Sequence, residues 1–312
     1  MSVLLSRADP PRLVSGSRRR SRLPQAFLVP AIAVLVLALG YPLGRQVVMS
    51  LQEYGLAQQF GRPAPWVGLA NYQALVTDSY LWAVVLRSVM FCLVNAAVTM
   101  MLGVAVAVLL TKVSRWVRIL TQSGLLLAWA MPVLAALTIW QWIFDSQYGI
   151  VNWLLTRLGF ESYAGHAWLI DPLSFYLVAT VVVVWMSVPF VVFTVYAALT
   201  QVPTSTVEAA EIDGAGAWQR FRFVVVPSIR PVLLVVGLLQ VIWDLRVFTQ
   251  IYVLQEAGGI STETNLIGTY VYRLGIAEGQ FGVASAVAIF MLALTVVLTF
   301  GYVRRMLRTE DA

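Results

Sequence analysis

Glu208-Ala209-Ala210-Glu211-Ile212-Asp213-Gly214-Ala215-Gly216-Ala217-Trp218 is a polar, glycine-interrupted island between two long apolar runs. The flanking runs read as built to cross a membrane. The island reads as built to lie outside one and be held. Ser205 stands three residues before Glu208, the spacing of a capping box, and Pro203 suits a helix start. Val207 to Ile212 then read as a short Ala-rich helix, slim enough to enter a groove. Gly214 is placed to end it, because glycine reaches φ > 0 at little cost. A second short amphipathic piece, Trp218 to Phe223, follows. Pro227 and Pro231 are expected to break it and launch the next apolar run.

Composition sets the same frame. Of 312 residues, 60% are hydrophobic and 12% charged, and mean hydropathy is +0.80. A soluble domain carries about 25% charged residues, so this is an all-α polytopic membrane protein. The net charge of +6 does not point to nucleic acid, because most arginines fall at the ends of apolar runs and report orientation. Cys92 is the one cysteine and His166 the one histidine, so no disulfide forms within the chain and a His/Cys metal site is excluded by count. No cofactor is implied. The only lysine, Lys112, lies between Thr111 and Val113, so the Gly-Lys-Ser/Thr end of a phosphate-binding loop is missing.

Six apolar runs can be placed: Gln25–Val48, Tyr80–Leu110, Ile119–Phe144 with Pro132 inside, Ser174–Leu199 broken by Pro189, Val232–Leu254 and Phe281–Val303. Each is long enough for a bilayer core of about 30 Å. The N-terminal run is long and lacks a clear small-residue cleavage site, so it reads as a retained span. Inner segments hold six, three, three and three basic residues, and outer ones hold Arg45, Arg62, Arg157 and Arg273. Both termini and the Glu208 loop are therefore expected in the cytoplasm. The organisation read from this is a tail over 1–24, a membrane domain over 25–303 with a cytoplasmic loop over 201–231, and a tail over 304–312. No internal or inverted repeat is visible.

The island resembles the EAA loop of ABC-importer permeases: E-A-A, three residues, G-A, then Phe221 and the Pro227/Pro231 pair. Trp66-Val67-Gly68-Leu69-Ala70-Asn71-Tyr72, Thr264-Asn265-Leu266, Tyr270-Val271-Tyr272-Arg273 and Phe281-Gly282-Val283-Ala284-Ser285-Ala286 resemble, in order, elements of the carbohydrate-uptake, maltose-type branch. Gln255-Glu256-Ala257-Gly258-Gly259-Ile260 departs from its T-x-G-G-P turn by lacking the proline. The resemblance implies a type I importer permease fold in a bacterial inner or plasma membrane. It implies a second homologous permease, a dimer of ATP-binding subunits, an extracytoplasmic sugar-binding (lipo)protein, surrounding lipid, and a sugar as substrate. The chain itself would not be an enzyme. Ser205, Glu208, Ala209, Ala210, Asp213, Gly214, Ala215 and Phe221 would then form the joint to the ATPase.

Charges inside a span are costly and default to function. At 100° per residue Gln240, Trp243, Asp244, Val247, Phe248 and Ile251 share one helical face, with an aromatic plate, a carboxylate and an amide. Such sets bind sugars by stacking on C–H faces and hydrogen bonding to hydroxyls. In maltose-type permeases the sugar site lies on the spans flanking the EAA loop. Counting from that loop implies Ser187, Phe190, Trp243, Asp244 and Phe248; Val183 is reached but is apolar. The substrate set is therefore Ser187, Phe190, Gln240, Trp243, Asp244 and Phe248. Arg246, two residues from Asp244, points to another face, and Arg87 reads as a packing or snorkelling residue. The alternatives are a glycerol-phosphate or polyol importer, a stand-alone secondary transporter, and a membrane enzyme, for which no catalytic constellation is present.

Overall fold

A computed structural model describes residues 23–310. The tail ahead of Leu23 and residues 311–312, with the placements expected of them, lie outside the described residues. No β-strand occurs among the described residues, and the one isolated bridge joins Gln52 and Trp66. The described chain falls into two compact units, divided after Arg45. Through the first runs the start of helix α1 (Leu28–Ser50), apolar up to Gly44 and passing through a π-turn at Val36–Gly40.

In the second unit the long helices are α2 (Ser79–Lys112), α3 (Arg115–Ala130), α4 (Val133–Ile143) and α5 (Pro172–Leu199). They are followed by α6 (Thr204–Ile212), α7 (Val226–Leu245), α8 (Thr249–Glu256), α9 (Ile267–Tyr272) and α10 (Phe281–Glu310). Five described helices are long and apolar enough to cross a membrane, and α3 with α4 makes a sixth if the bent pair crosses as one.

The third run, expected over Ile119–Phe144 with Pro132 inside, is this pair, whose helices meet at 104°. Met131, ahead of Pro132, is pushed to ψ 131°, since the proline ring disfavours the α region for the residue before it. Pro189 has the opposite outcome: α5 runs through it unbroken, with the proline buried. Pro227 and Pro231 likewise fail to break the chain. A helix starts at Ala217, passes a π-turn at Phe221–Val225 and continues as α7. Membrane helices tolerate proline where local adjustments and neighbours satisfy the freed carbonyls.

α2 and α5 form the spine. The buried face of α2 carries Ser88, Cys92, Asn95, Thr99, Gly103, Ala107 and Leu110, recurring every three or four residues. Most are small, which lets the helix backbones approach. At Gly103 a Cβ would lie 2.5 Å from Val191 Cγ1. Gly103→Leu is therefore expected to force α2 and α5 apart, at about 1–3 kcal/mol or more. The check is the yield of detergent-stable protein, which should fall well below that of the unsubstituted chain, with Gly103→Ala, which already adds the clashing Cβ, in between.

The outer-loop motifs become ties between distant segments. Asn71 Nδ2 donates to the carbonyls of Ser50 and Gln52 at 2.8 and 3.0 Å, and the Tyr72 and Ser50 hydroxyls are 2.8 Å apart. Gly282 N donates to Tyr54 O at 2.8 Å, and a Cβ at Gly282 would lie 2.4 Å from Gln52 O. The Val67–Tyr72 element and the opening of α10 thus hold the same turn. Arg87 is no free snorkelling group. Its guanidinium donates to the carbonyls of Thr262 and Glu263 and lies over the Tyr80 ring. With Ser88 Oγ accepting from Ile267 N at 2.9 Å, it pins the segment before α9 to α2.

Candidate functional site

The inner loop comes first because its local chemistry is clearest. α6 begins two residues earlier than the capping-box reading requires, with Pro203 as its N-cap and no side-chain cap bond. Ser205 is therefore inside the first turn, and the Ser205–Glu208 box does not form. At the other end Ala215 N donates to Ala210 O at 2.9 Å and Gly214 N to Glu211 O at 3.0 Å, with Gly214 at φ +83°. This is the Schellman pattern, which satisfies the last carbonyls by a left-handed residue. An ion pair between Glu211 and Arg220 then folds the next helix back on α6. Nothing in the capping analysis pointed to that pair; the two charges lie nine positions apart across a Gly-Ala-Gly turn.

Ser205, Glu208, Ala209, Asp213 and Gly214 are exposed, and Ala210, Ala215 and Phe221 are half-buried. Ile212 and Trp218 are 86% and 71% exposed, although both are large apolar residues in the polar part of the chain. Glu208 and Glu211 line a cavity of 1320 Å³ together with Lys112, Trp218 and Arg220. Among the described residues Glu208 makes no ion pair.

The second site lies where α5 faces the end of α7. The helical-face argument for Val247, Phe248 and Ile251 is overturned, because the helix stops at Leu245 and resumes at Thr249. Arg246 has φ −98°, ψ 9° and Phe248 φ −130°, ψ −62°. Ile251 turns into the apolar core, fully buried. The break itself brings the polar groups round: a pocket of 210 Å³ is lined by Ser187, Trp243, Asp244, Arg246, Phe248 and Gln250, among others. Arg246, Thr249 and Gln250 were missed because a continuous helix would have turned them away. Val183, set aside as apolar, also lines the pocket.

Phe190 does not line the pocket but buttresses it, its ring centroid 4.9 Å from that of Trp243 at 61°. Gln240 is corrected from a contact residue to a positioning one. It is fully buried, and its Nε2 donates to both Asp244 carboxylate oxygens at 2.9 and 3.0 Å. Asp244 is thus held by an amide one turn earlier, with no cation in ion-pair range among the described residues. Arg246, exposed on the same pocket, is equally unpaired. A pocket with a fixed carboxylate, a free guanidinium, a hydroxyl, an amide and two aromatic plates can hydrogen-bond a polyhydroxylated ring and stack on its C–H face. No group of three or more His, Cys, Asp or Glu able to hold a metal occurs among the described residues.

The comparisons with known proteins agree with this architecture. The diacetylchitobiose uptake system permease of Streptomyces coelicolor is 38% identical over 96% of this chain and 91% of its own. The sulfoquinovosyl glycerol transport system permease of Agrobacterium fabrum is 32% identical over 91% of this chain and 90% of its own. A bacterial ABC transporter involved in the import of the acidic polysaccharide alginate superposes with a TM-score of 0.74. That match is at 21% identity and covers 92% of this chain and 95% of that one, a likeness of fold. A family model covers residues 99–306, from the middle of α2 to the last turns of α10 and so across both sites. The chain belongs to the binding-protein-dependent transport system inner membrane component family, the permeases of ABC importers.

Proposed function

We propose that this chain is one permease of a saccharide importer, taking a small neutral oligosaccharide of the diacetylchitobiose kind through the pocket at the α7–α8 break. The observation that carries the reading is the pairing of the Gln240-held Asp244 carboxylate with Trp243 and Phe248 around one small cavity. That is the chemistry of hydroxyl recognition beside ring stacking. A second permease completes the path, an external binding protein delivers the sugar, and separate ATP-binding subunits drive the cycle through α6. ATP binding and release would bias a two-state arrangement of the helices that the saccharide also biases. The proposed orientation puts both termini and α6 on the cytoplasmic side, following the basic residues.

The direct test is uptake by the assembled complex in proteoliposomes, with labelled diacetylchitobiose and ATP inside. Uptake that requires both ATP and the binding protein supports the reading. Gradient-driven uptake by this chain alone would end it in favour of a secondary transporter. Arg246 favours one further reading, an anionic glycoside, and competition by a sulfonated or phosphorylated sugar at equal concentration separates the two. Trp243→Ala is expected to raise the half-saturating saccharide concentration about three- to tenfold, as loss of an aromatic contact of ~0.5–1.5 kcal/mol would. ATPase stimulation by the binding protein should persist. Unchanged uptake across the concentration range removes Trp243 from the site.

A further inference from the structure

The pocket does not end at Phe248. That ring stacks on Tyr252, with centroids 5.6 Å apart and planes at 15°, and lies 5.4 Å from Tyr272. Tyr252 and Tyr272 close the triangle at 5.0 Å. All three rings are half-buried, and none belongs to the three apolar cores that hold the helices together. The triangle is assembled by local rules. Tyr252 follows Phe248 by four residues, one turn along α8. Tyr272 is carried by α9, whose approach to the break depends on Gly268. There a Cβ would come within 3.4 Å of Val247 O and 3.6 Å of Phe248 Cβ. Gly268 and Tyr272 are again one turn apart, so the glycine lets α9 close in and the tyrosine lands on Phe248.

Size gives this aromatic surface its meaning. At 210 Å³ the pocket is smaller than the ~300 Å³ at which sites for drug-sized ligands begin, which is room for one pyranose ring and not two. We propose that Phe248, Tyr252 and Tyr272 form a second saccharide subsite, continuous with the pocket through Phe248, that receives the next ring of the same substrate. The proposal rests on the saccharide reading and narrows it to substrates of at least two rings. The two tyrosines extend the half-buried aromatic surface beyond Phe248, which lines the pocket and so serves both subsites.

Cys92 is the only cysteine and is buried, so an introduced thiol is the accessible one on this chain. Tyr272→Cys and Ser187→Cys would each be built into the full complex with its ATPase and binding protein, held with ATP and vanadate. Maleimide labelling of each position would be followed by peptide mass spectrometry. Diacetylchitobiose is expected to slow labelling at both positions, by about tenfold at a concentration ten times its Kd. N-acetylglucosamine should slow it at Ser187→Cys alone. Protection of Ser187→Cys by the disaccharide with Tyr272→Cys unprotected overturns the second subsite and leaves the saccharide reading standing. Protection of both positions by the monosaccharide also overturns it, since one ring would then suffice. No protection at either position by either sugar removes the subsite and the saccharide reading together. If Tyr272→Cys fails to assemble, Tyr252→Cys carries the same arms.

Discussion

Glu208→Lys is expected to abolish most ATP-driven uptake, by about tenfold or more, while the chain still inserts and assembles; a loss of that size corresponds to a coupling of roughly 1.4 kcal/mol or more. The reason is local. Glu208 is exposed on α6, makes no ion pair among the described residues, and faces the cavity that Lys112 and Arg220 also line. Reversing its charge places a third cation there, beside the Glu211–Arg220 pair that folds the following helix back on α6. A basic partner on the ATPase would be repelled instead of bound. Because α6 ends by backbone bonds and by Gly214, not by a Glu208 side-chain cap, the substitution leaves the loop's own fold in place. Uptake and ATPase rate in proteoliposomes, with co-purification of the subunits as the control, check the expectation. Normal uptake in the assembled mutant would sink the docking role of Glu208.

Asp244→Asn is expected to raise the half-saturating saccharide concentration by roughly 10- to 100-fold, the weight of a hydrogen bond to a charged group at about 1.5–3 kcal/mol. The asparagine keeps one acceptor for Gln240, so folding should be nearly unaffected. Asp244→Leu removes both acceptors and strands the Gln240 amide in a fully buried position. That stranding costs stability as well, about 1–3 kcal/mol. Uptake kinetics and thermal unfolding of the purified complex separate the two effects. If Asn and Leu lower stability equally and leave saturation unchanged, Asp244 is a packing group and the pocket is not the saccharide site.

The contrast between the two sites shows how far a sequence carries. Gly214 was legible because a left-handed helix end is a one-residue demand that only glycine meets cheaply. Ser205 misled because Pro203 took the cap position and drew the helix back by two residues. Phe248 was named on two grounds, and only the helical-face one fails, since that face does not exist past Leu245. Gln240 was named beside Asp244, but no spacing rule distinguishes an amide that touches ligand from one that holds the carboxylate. Pro132 and Pro189 look alike in sequence, yet one turns the chain through 104° and the other lies buried in an unbroken helix. What surrounds each proline differs, and the surroundings come from distant segments.

Sequence alone determined that the chain is helical, that it lives in a bilayer, that it lacks a phosphate-binding loop of its own, and where its polar, glycine-interrupted island lies. These follow from hydropathy, charge placement and local turn chemistry, which act over a few residues. Tertiary structure decided where the seventh helix breaks, which polar groups that break gathers, and which aromatic rings meet beside it. Those outcomes depend on α5 and α9 approaching α7 and α8, through contacts such as Phe190–Trp243 and Phe248–Tyr272, 53 and 24 positions apart, and no local pattern encodes such an approach.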